Sequence, residues 1–162
     1  MGDYIIPIRW IHVIAGSAWF GEVIVINFIL IPVLGRLDMQ SRRAFLANVF
    51  PRVFRVASVL SATTVIAGFA LLWHYTGGNL ARLLHSGRWG IAILVGGSLG
   101  TLLTLFHFFM ENRMAKKIGL GPCGPADDAV VDIHAKLKVV PRLGLLVISS
   151  IFFSMMYAVR GL

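Results

Sequence analysis

Four of the five histidines in this chain, His12, His74, His107 and His134, stand inside long apolar stretches or at their edges. An ionisable side chain in hydrocarbon is costly, so such a residue is read first as functional. Neutral imidazole is the commonest protein ligand for metals, and it also holds haem iron axially. Two imidazoles on opposite sides of a porphyrin hold one haem, and four hold two. The fifth histidine, His85, lies between apolar stretches and is either an exposed loop residue or a ligand for a metal at the outer face.

The elements that must position these residues follow from length and hydropathy. A spanning helix needs about 20 mostly apolar residues. Four segments qualify: roughly Tyr4–Leu34, Phe54–Tyr75, Trp89–Met110 and Val139–Val159. Ala126–Lys138 is periodic enough to extend the fourth helix, giving about 126–160. Asp127 and Asp128 near its start suit a helix N-terminus, and Pro141 predicts a kink. The connecting intervals hold Pro51, the Gly77-Gly78 pair and the Gly119–Pro125 run, all breaker residues. Gln40–Asn48 reads either as a short amphipathic helix at the membrane surface, with Arg42 and Arg43 toward phosphates, or as a plain turn. The expected fold is an all-α integral membrane four-helix bundle forming a single domain over 1–162.

Composition agrees. The chain is 57% hydrophobic and 14% charged, with mean hydropathy +0.82. Soluble domains carry about a quarter charged residues. The first apolar run is too long for a signal-peptide core and lacks a small-residue cleavage site, so it is expected to remain as a helix. The net charge of +8 is explained by basic loops, and no basic stripe interleaved with aromatics suggests nucleic acid. A single cysteine, Cys123, excludes an internal disulfide and a cysteine metal cluster within one chain. In Gly-Pro-Cys-Gly-Pro it reads as a turn residue.

Loop charge orients the bundle. The first loop and its flanks carry Arg36, Arg42, Arg43, Arg52 and Arg55. The third carries Arg113, Lys116, Lys117, Lys136, Lys138 and Arg142. Basic loops stay cytoplasmic, which places both termini outside and predicts a multi-pass protein of the bacterial inner membrane. Depth then sorts the histidines into an outer pair, His12 with His74, and an inner pair, His107 with His134. On the third helix, Gly96, Gly100, Thr104, His107 and Glu111 share one face. On the first, His12, Gly16, Trp19 and Val23 do. Small residues next to a histidine make room for a flat macrocycle or for a close helix neighbour, and the sequence leaves both open. Each histidine has a plainer role as well: interhelical hydrogen bonding for His12 and His107, an interfacial belt position beside Trp73 and Tyr75 for His74, and a solvated position for His134.

Glu22 is the one carboxylate near the middle of a span. It could relay protons, ligate copper, or bond to a neighbouring helix. Arg52 and Arg55 suit haem propionates, which arginine pairs with bidentately, or simply anchor the inner surface. Met155 and Met156 offer thioether sulfur or plain packing.

The stretch Arg9-Trp10-Ile11-His12-Val13-Ile14-Ala15-Gly16-Ser17-Ala18-Trp19-Phe20-Gly21 resembles the first helix of related bacterial membrane families: the copper-resistance D family, the membrane part of cytochrome-c-type urate oxidases, and the membrane protoporphyrinogen oxidases. Phe50-Pro51-Arg52-Val53-Phe54-Arg55, running to Gly68, is similar to the second helix of the copper-resistance type. Ile133-His134 through Leu146 is similar to the last helix of the urate-oxidase type. The resemblance implies a redox or metal-linked membrane protein, with His12 and, through the last helix, His134 as haem ligands. No Cys-x-x-Cys-His is present, so any haem would be held without covalent attachment.

These readings converge on a b-type cytochrome carrying one or two haems per chain and transferring electrons, with quinol or a periplasmic protein as redox partner. A homo-oligomer is expected, since one 17.8 kDa bundle offers little room for two haems. The alternatives are a copper-handling protein, using ligands such as His12, Glu22, His74 and His85, and a cofactor-free subunit of a respiratory complex.

Overall fold

The computed structural model describes residues 4–118 and 127–160, with side chains at 4–113 and 130–159. Cys123 and the Gly119–Pro125 run lie outside the described residues. Helix α1 (Ile5–Val25) passes through a π-helical turn (Ile26–Leu30) into α2 (Ile31–Arg36). Helix α3 (Met39–Asn48) leads to α4 (Phe50–Thr76), the short α5 (Ala81–His85), α6 (Gly87–Ile118) and α7 (Asp127–Arg160). Four stretches are long and apolar enough to cross a membrane: Ile5–Arg36, Met39–Thr76, Gly87–Arg113 and Val130–Val159. The fold is an all-α four-helix bundle of a multi-pass membrane protein. Neighbours pack in chain order, α1 on α4, α4 on α6 and α6 on α7, and a thinner α1–α7 seam closes the ring.

Local chemistry explains the boundaries. Pro51 occupies the first turn of α4, where its missing N–H costs nothing, so α4 begins four residues before the apolar run suggests. The helix ends at Gly77 in the left-handed region (φ 61). The Gly78 amide then bonds the Trp73 carbonyl at 3.0 Å, a Schellman stop. Pro32 at the start of α2 cannot donate to the carbonyl of Phe28. The adjoining π turn, in which the Ile31 amide reaches back to the Ile26 carbonyl, adjusts the ladder there. Helix α7 runs through Pro141 as one continuous helix.

At the arginine-rich end, α3 is a true helix rather than a turn. The Asp38 carboxylate accepts from the Ser41 amide at 2.9 Å and from the Ser41 hydroxyl at 2.8 Å. These bonds, the backbone one foremost, hold its carboxyl below the ordinary aspartate range. Arg42 does not reach outward for phosphates. Its guanidinium donates to the carbonyls of Leu34 (3.2 Å), Gly35 (3.4 Å) and Leu37 (3.0 Å). It thereby satisfies the orphan acceptors at the end of α2, where a cation is favoured.

Two apolar clusters hold the bundle. Ile26, Ile31, Leu34, Leu46, Phe50, Val130, Ile133 and Leu137 pack at the arginine-rich end. Trp19, Val23 and Ile148 pack nearer the middle, with Phe20, Leu60, Leu103 and Leu145 around them. Much of the remaining apolar surface faces outward: Phe28, Ile66, Leu146 and Phe153 are each about two-thirds exposed. In water such a surface would drive association; in a bilayer it meets lipid.

Candidate functional site

Helix α6 presents the most suggestive surface. Gly100 is buried, yet a Cβ built on it meets nothing within 4 Å. One turn further, the Thr104 hydroxyl is buried without a hydrogen-bond partner among the described residues, and so is Nε2 of His107. The imidazole lies edge-on to Phe54 of α4, with ring centroids 5.8 Å apart. Buried polar atoms are normally paired. A small space and two orphaned atoms in succession on one helix face therefore call for an occupant. Glu111, a turn beyond His107, is accounted for differently: it accepts from the Ser58 hydroxyl across the α4–α6 contact. Gly96 is filled by Met155, whose methyl carbon lies 2.6 Å from where its Cβ would stand. The shared face read from sequence thus divides. Gly96 and Glu111 serve packing and cross-helix bonding, while Gly100, Thr104 and His107 leave capacity unused.

His134 on α7 is also buried, with Nε2 unpartnered among the described residues. It lies over Gly35, 3.9 Å from where a Cβ there would be. It is a buried residue at the edge of the large apolar cluster rather than a solvated one. The structure does not bring it to His107. The Ser154 hydroxyl donates to the Ala92 carbonyl at 2.8 Å, and Met155 sits against Gly96. Counting inward from those contacts puts His107 level with about residues 139 to 144. His134 is then roughly 8–15 Å nearer the arginine-rich end. Helical side chains lean toward their own N-termini, so in antiparallel helices these two lean apart.

His12 is held by α4. Its Nδ1 lies 2.8 Å from the Thr64 carbonyl and so donates to it, which leaves Nε2 as the lone-pair nitrogen. Metal-bound histidines are commonly oriented in this way. Gly68 makes room for the ring: a Cβ there would stand 3.0 Å from Cε1 of His12. Gly16 is a close-approach position, 3.3 Å from the Thr64 methyl, and not a cradle for a macrocycle. His74 is exposed at the termini end, with Nδ1 3.4 Å from the Tyr4 hydroxyl. Six residues beyond Gly68, it stands roughly 120° around α4 from the face that meets His12. The outer pair is therefore not convergent. His85 is exposed and bonds the Ala81 carbonyl of its own short helix at 2.9 Å.

Nearer the middle, Trp19 is buried with Nε1 unpartnered, and both carboxyl oxygens of Glu22 are buried without partners among the described residues. Glu22 lines a groove of about 340 Å³ with Val25, Ile26, Leu30, Arg52, Val53 and Val56. Arg55 is exposed. Met156 is exposed. Among the described residues, no three of His, Cys, Asp and Glu gather closely enough to hold a bare metal ion.

Sequence reasoning missed Asn27. It sits in the π turn, and its amide donates to the Val23 carbonyl (2.8 Å) and, across the α1–α7 seam, to the Pro141 carbonyl (2.9 Å). A lone asparagine deep in an apolar run was the available signal. No family model, curated protein or solved structure matches this chain.

Proposed function

We propose that this chain binds haem b non-covalently through His107 and transfers electrons within a membrane, with His12 and His134 as further residues that would hold it. The observation that carries this reading is the α6 face: open space at Gly100, then a Thr104 hydroxyl and a His107 Nε2 that are buried and unpartnered among the described residues. Haem, when bound, supplies a one-electron iron couple. The chain's own residues do the rest. His107 offers Nε2 from an apolar wall, Phe54 fixes the ring plane, and the low-dielectric interior excludes water. At the other end of α1, the Thr64 carbonyl fixes the His12 tautomer so that Nε2 is the available donor. The first-helix resemblance adds weight to His12.

A porphyrin fits these residues better than copper does. A bare ion needs several protein donors, and no such trio gathers among the described residues. A porphyrin brings four nitrogens and asks the protein for one or two. Because His107 and His134 lean apart, one haem per His107 is favoured over a shared inner haem. A second copy of the chain would supply the remaining enclosure. The arginine-rich end faces the cytoplasm of a bacterial cell in this reading, by the distribution of loop charge.

The test is the optical spectrum of protein purified after expression with ample haem supply, with iron and copper counted per chain. Dithionite should give sharp b-type α and Soret bands with iron near one or two per chain. His107→Ala should remove a band set that His85→Ala leaves intact. Colourless, iron-free protein would refute the proposal.

A further inference from the structure

Arg52 and Arg55 stand together on the outward face of α4. Both are exposed. Three residues apart, they lie within roughly 60° of each other around the helix, on the azimuth of the exposed Val59 and Ile66. Phe54, which meets His107, is roughly 100–160° away, so both arginines are turned from the α6 face. Neither guanidinium has a hydrogen-bond or ion-pair partner among the described residues. The carboxylates with described side chains are engaged elsewhere or inaccessible: Asp38 caps α3, Glu111 accepts from Ser58, Asp132 pairs with Lys136 and Glu22 is buried. Like charges one turn apart on a helix destabilise each other, and an anion shared between them reverses the sign. Beside this pair runs the groove of about 340 Å³ between α1 and α4, with Ile26 and Leu30 on one wall and Val53, Val56 and the carbon stem of Arg52 on the other. Its accessible lining is apolar, and it extends inward from the arginine-rich end for roughly two helical turns, about 12 Å. An arginine so placed lays its stem along apolar surface and keeps its charged head at the interface. The groove alone would take any hydrocarbon, and the arginines alone any anion. Their adjacency asks for one molecule with both parts. A free phosphate leaves the groove unfilled. Phosphatidylcholine brings its own cation beside two guanidinium groups. A phospholipid whose headgroup charge is the phosphate alone meets both demands.

We propose that Arg52 and Arg55 bind the phosphate of an acidic phospholipid, with one acyl chain lying in the groove between α1 and α4. Arginine pairs with phosphate oxygens bidentately, and basic sites beside apolar helix seams at the cytoplasmic surface suit anionic lipid headgroups. The site needs no haem and stands on a different face of α4 from His107. The experiment is native mass spectrometry of the full chain, stripped of lipid in detergent and titrated with phosphatidylglycerol or phosphatidylcholine. The parent should retain one phosphatidylglycerol per chain roughly tenfold or more tightly than phosphatidylcholine, as expected for charge-assisted hydrogen bonds. The double variant Arg52→Gln with Arg55→Gln should erase that preference. Arg82→Gln with Arg88→Gln removes two exposed charges at the other end of the bundle and should preserve it. Val56→Phe narrows the groove and leaves both arginines, so it should lower phosphatidylglycerol retention severalfold while helical circular dichroism is unchanged. Excess inorganic phosphate should not displace the bound lipid. Equal retention of the two lipids by the parent overturns the proposal whatever the variants do. Equal losses in the two glutamine pairs overturn it as well, since net charge rather than a site would then be at work. Displacement by inorganic phosphate, or full retention in Val56→Phe, overturns the seating of the chain in the groove.

Discussion

Gly68→Ala tests whether His12 is set by its contact with α4. The new methyl group would stand 3.0 Å from Cε1 and 3.2 Å from Nδ1 of the imidazole. Carbon contacts settle near 3.5–4.0 Å, so the ring must retreat by roughly half an ångström or more. The bond from Nδ1 to the Thr64 carbonyl starts at 2.8 Å, and such a retreat carries it beyond about 3.2 Å, the usual limit for N–H···O. Interhelical hydrogen bonds in membrane bundles contribute about 0.6 kcal/mol on average and up to about 1.7. The substitution should therefore destabilise the bundle by about 0.5–1.5 kcal/mol. Almost none of that cost should remain in a His12→Ala background, where the methyl group has room. The assay is equilibrium unfolding in mixed micelles, followed by circular dichroism, as a double-mutant cycle. Nitrogen NMR of labelled histidine should show Nδ1 protonated in the parent and a mixture of tautomers in Gly68→Ala. A coupling below about 0.3 kcal/mol, the level expected of independent sites, would refute the reasoning.

Two glycines on α6 should behave oppositely in the same unfolding assay. A Cβ at Gly90 would lie 1.8 Å from the Leu83 carbonyl oxygen, a backbone atom that no rotamer can move. Gly90→Ala should cost about 3 kcal/mol, the upper end of ordinary overpacking, or more, by lifting α5 from α6. Gly96→Ala meets only the flexible end of Met155 and should cost less than about 1 kcal/mol. The Asp38 cap predicts a pH effect of definite sign. Its carboxyl is held below the ordinary range by the Ser41 bonds, so its contribution is fully present above the unfolded-state value and is lost as pH falls through the lowered folded value. Protection of the α3 amides, corrected for intrinsic exchange at each pH, should fall only on strong acidification in the parent, and should be low and unchanged across that window in Asp38→Ala.

Much of this architecture is legible from the residues. Long apolar runs, Gly77-Gly78 and Pro51 mark the helices and their ends, and the spacing of Gly100, Thr104 and His107 marks a face of α6 before any coordinates. What is not legible is register and azimuth between helices. The depth of His74 suggested a partner for His12, but helical rotation carries it to another face of α4. Arg42 looked like a lipid anchor because one sequence cannot show that three carbonyls at the end of α2 lie within its reach. Asn27 shows in the sequence only as a lone polar residue in an apolar run. Its partner, the Pro141 carbonyl, is on the last helix, and only the α1–α7 seam reveals it.

Polar side chains within a membrane bundle serve either as glue or as function, and composition alone does not separate the two. Satisfaction of each polar atom does. Asn27 and Ser154 spend their donors on the carbonyls of neighbouring helices, and Ser58 spends its hydroxyl on Glu111. Replacing any of them should loosen packing wherever else it is felt. Trp19, Glu22, Thr104, His107 and His134 keep buried polar atoms without partners among the described residues, and so does Asn27 at its Oδ1. A fold assembled only to hold four helices together has no use for that cost, since leucine or alanine at each position would be cheaper.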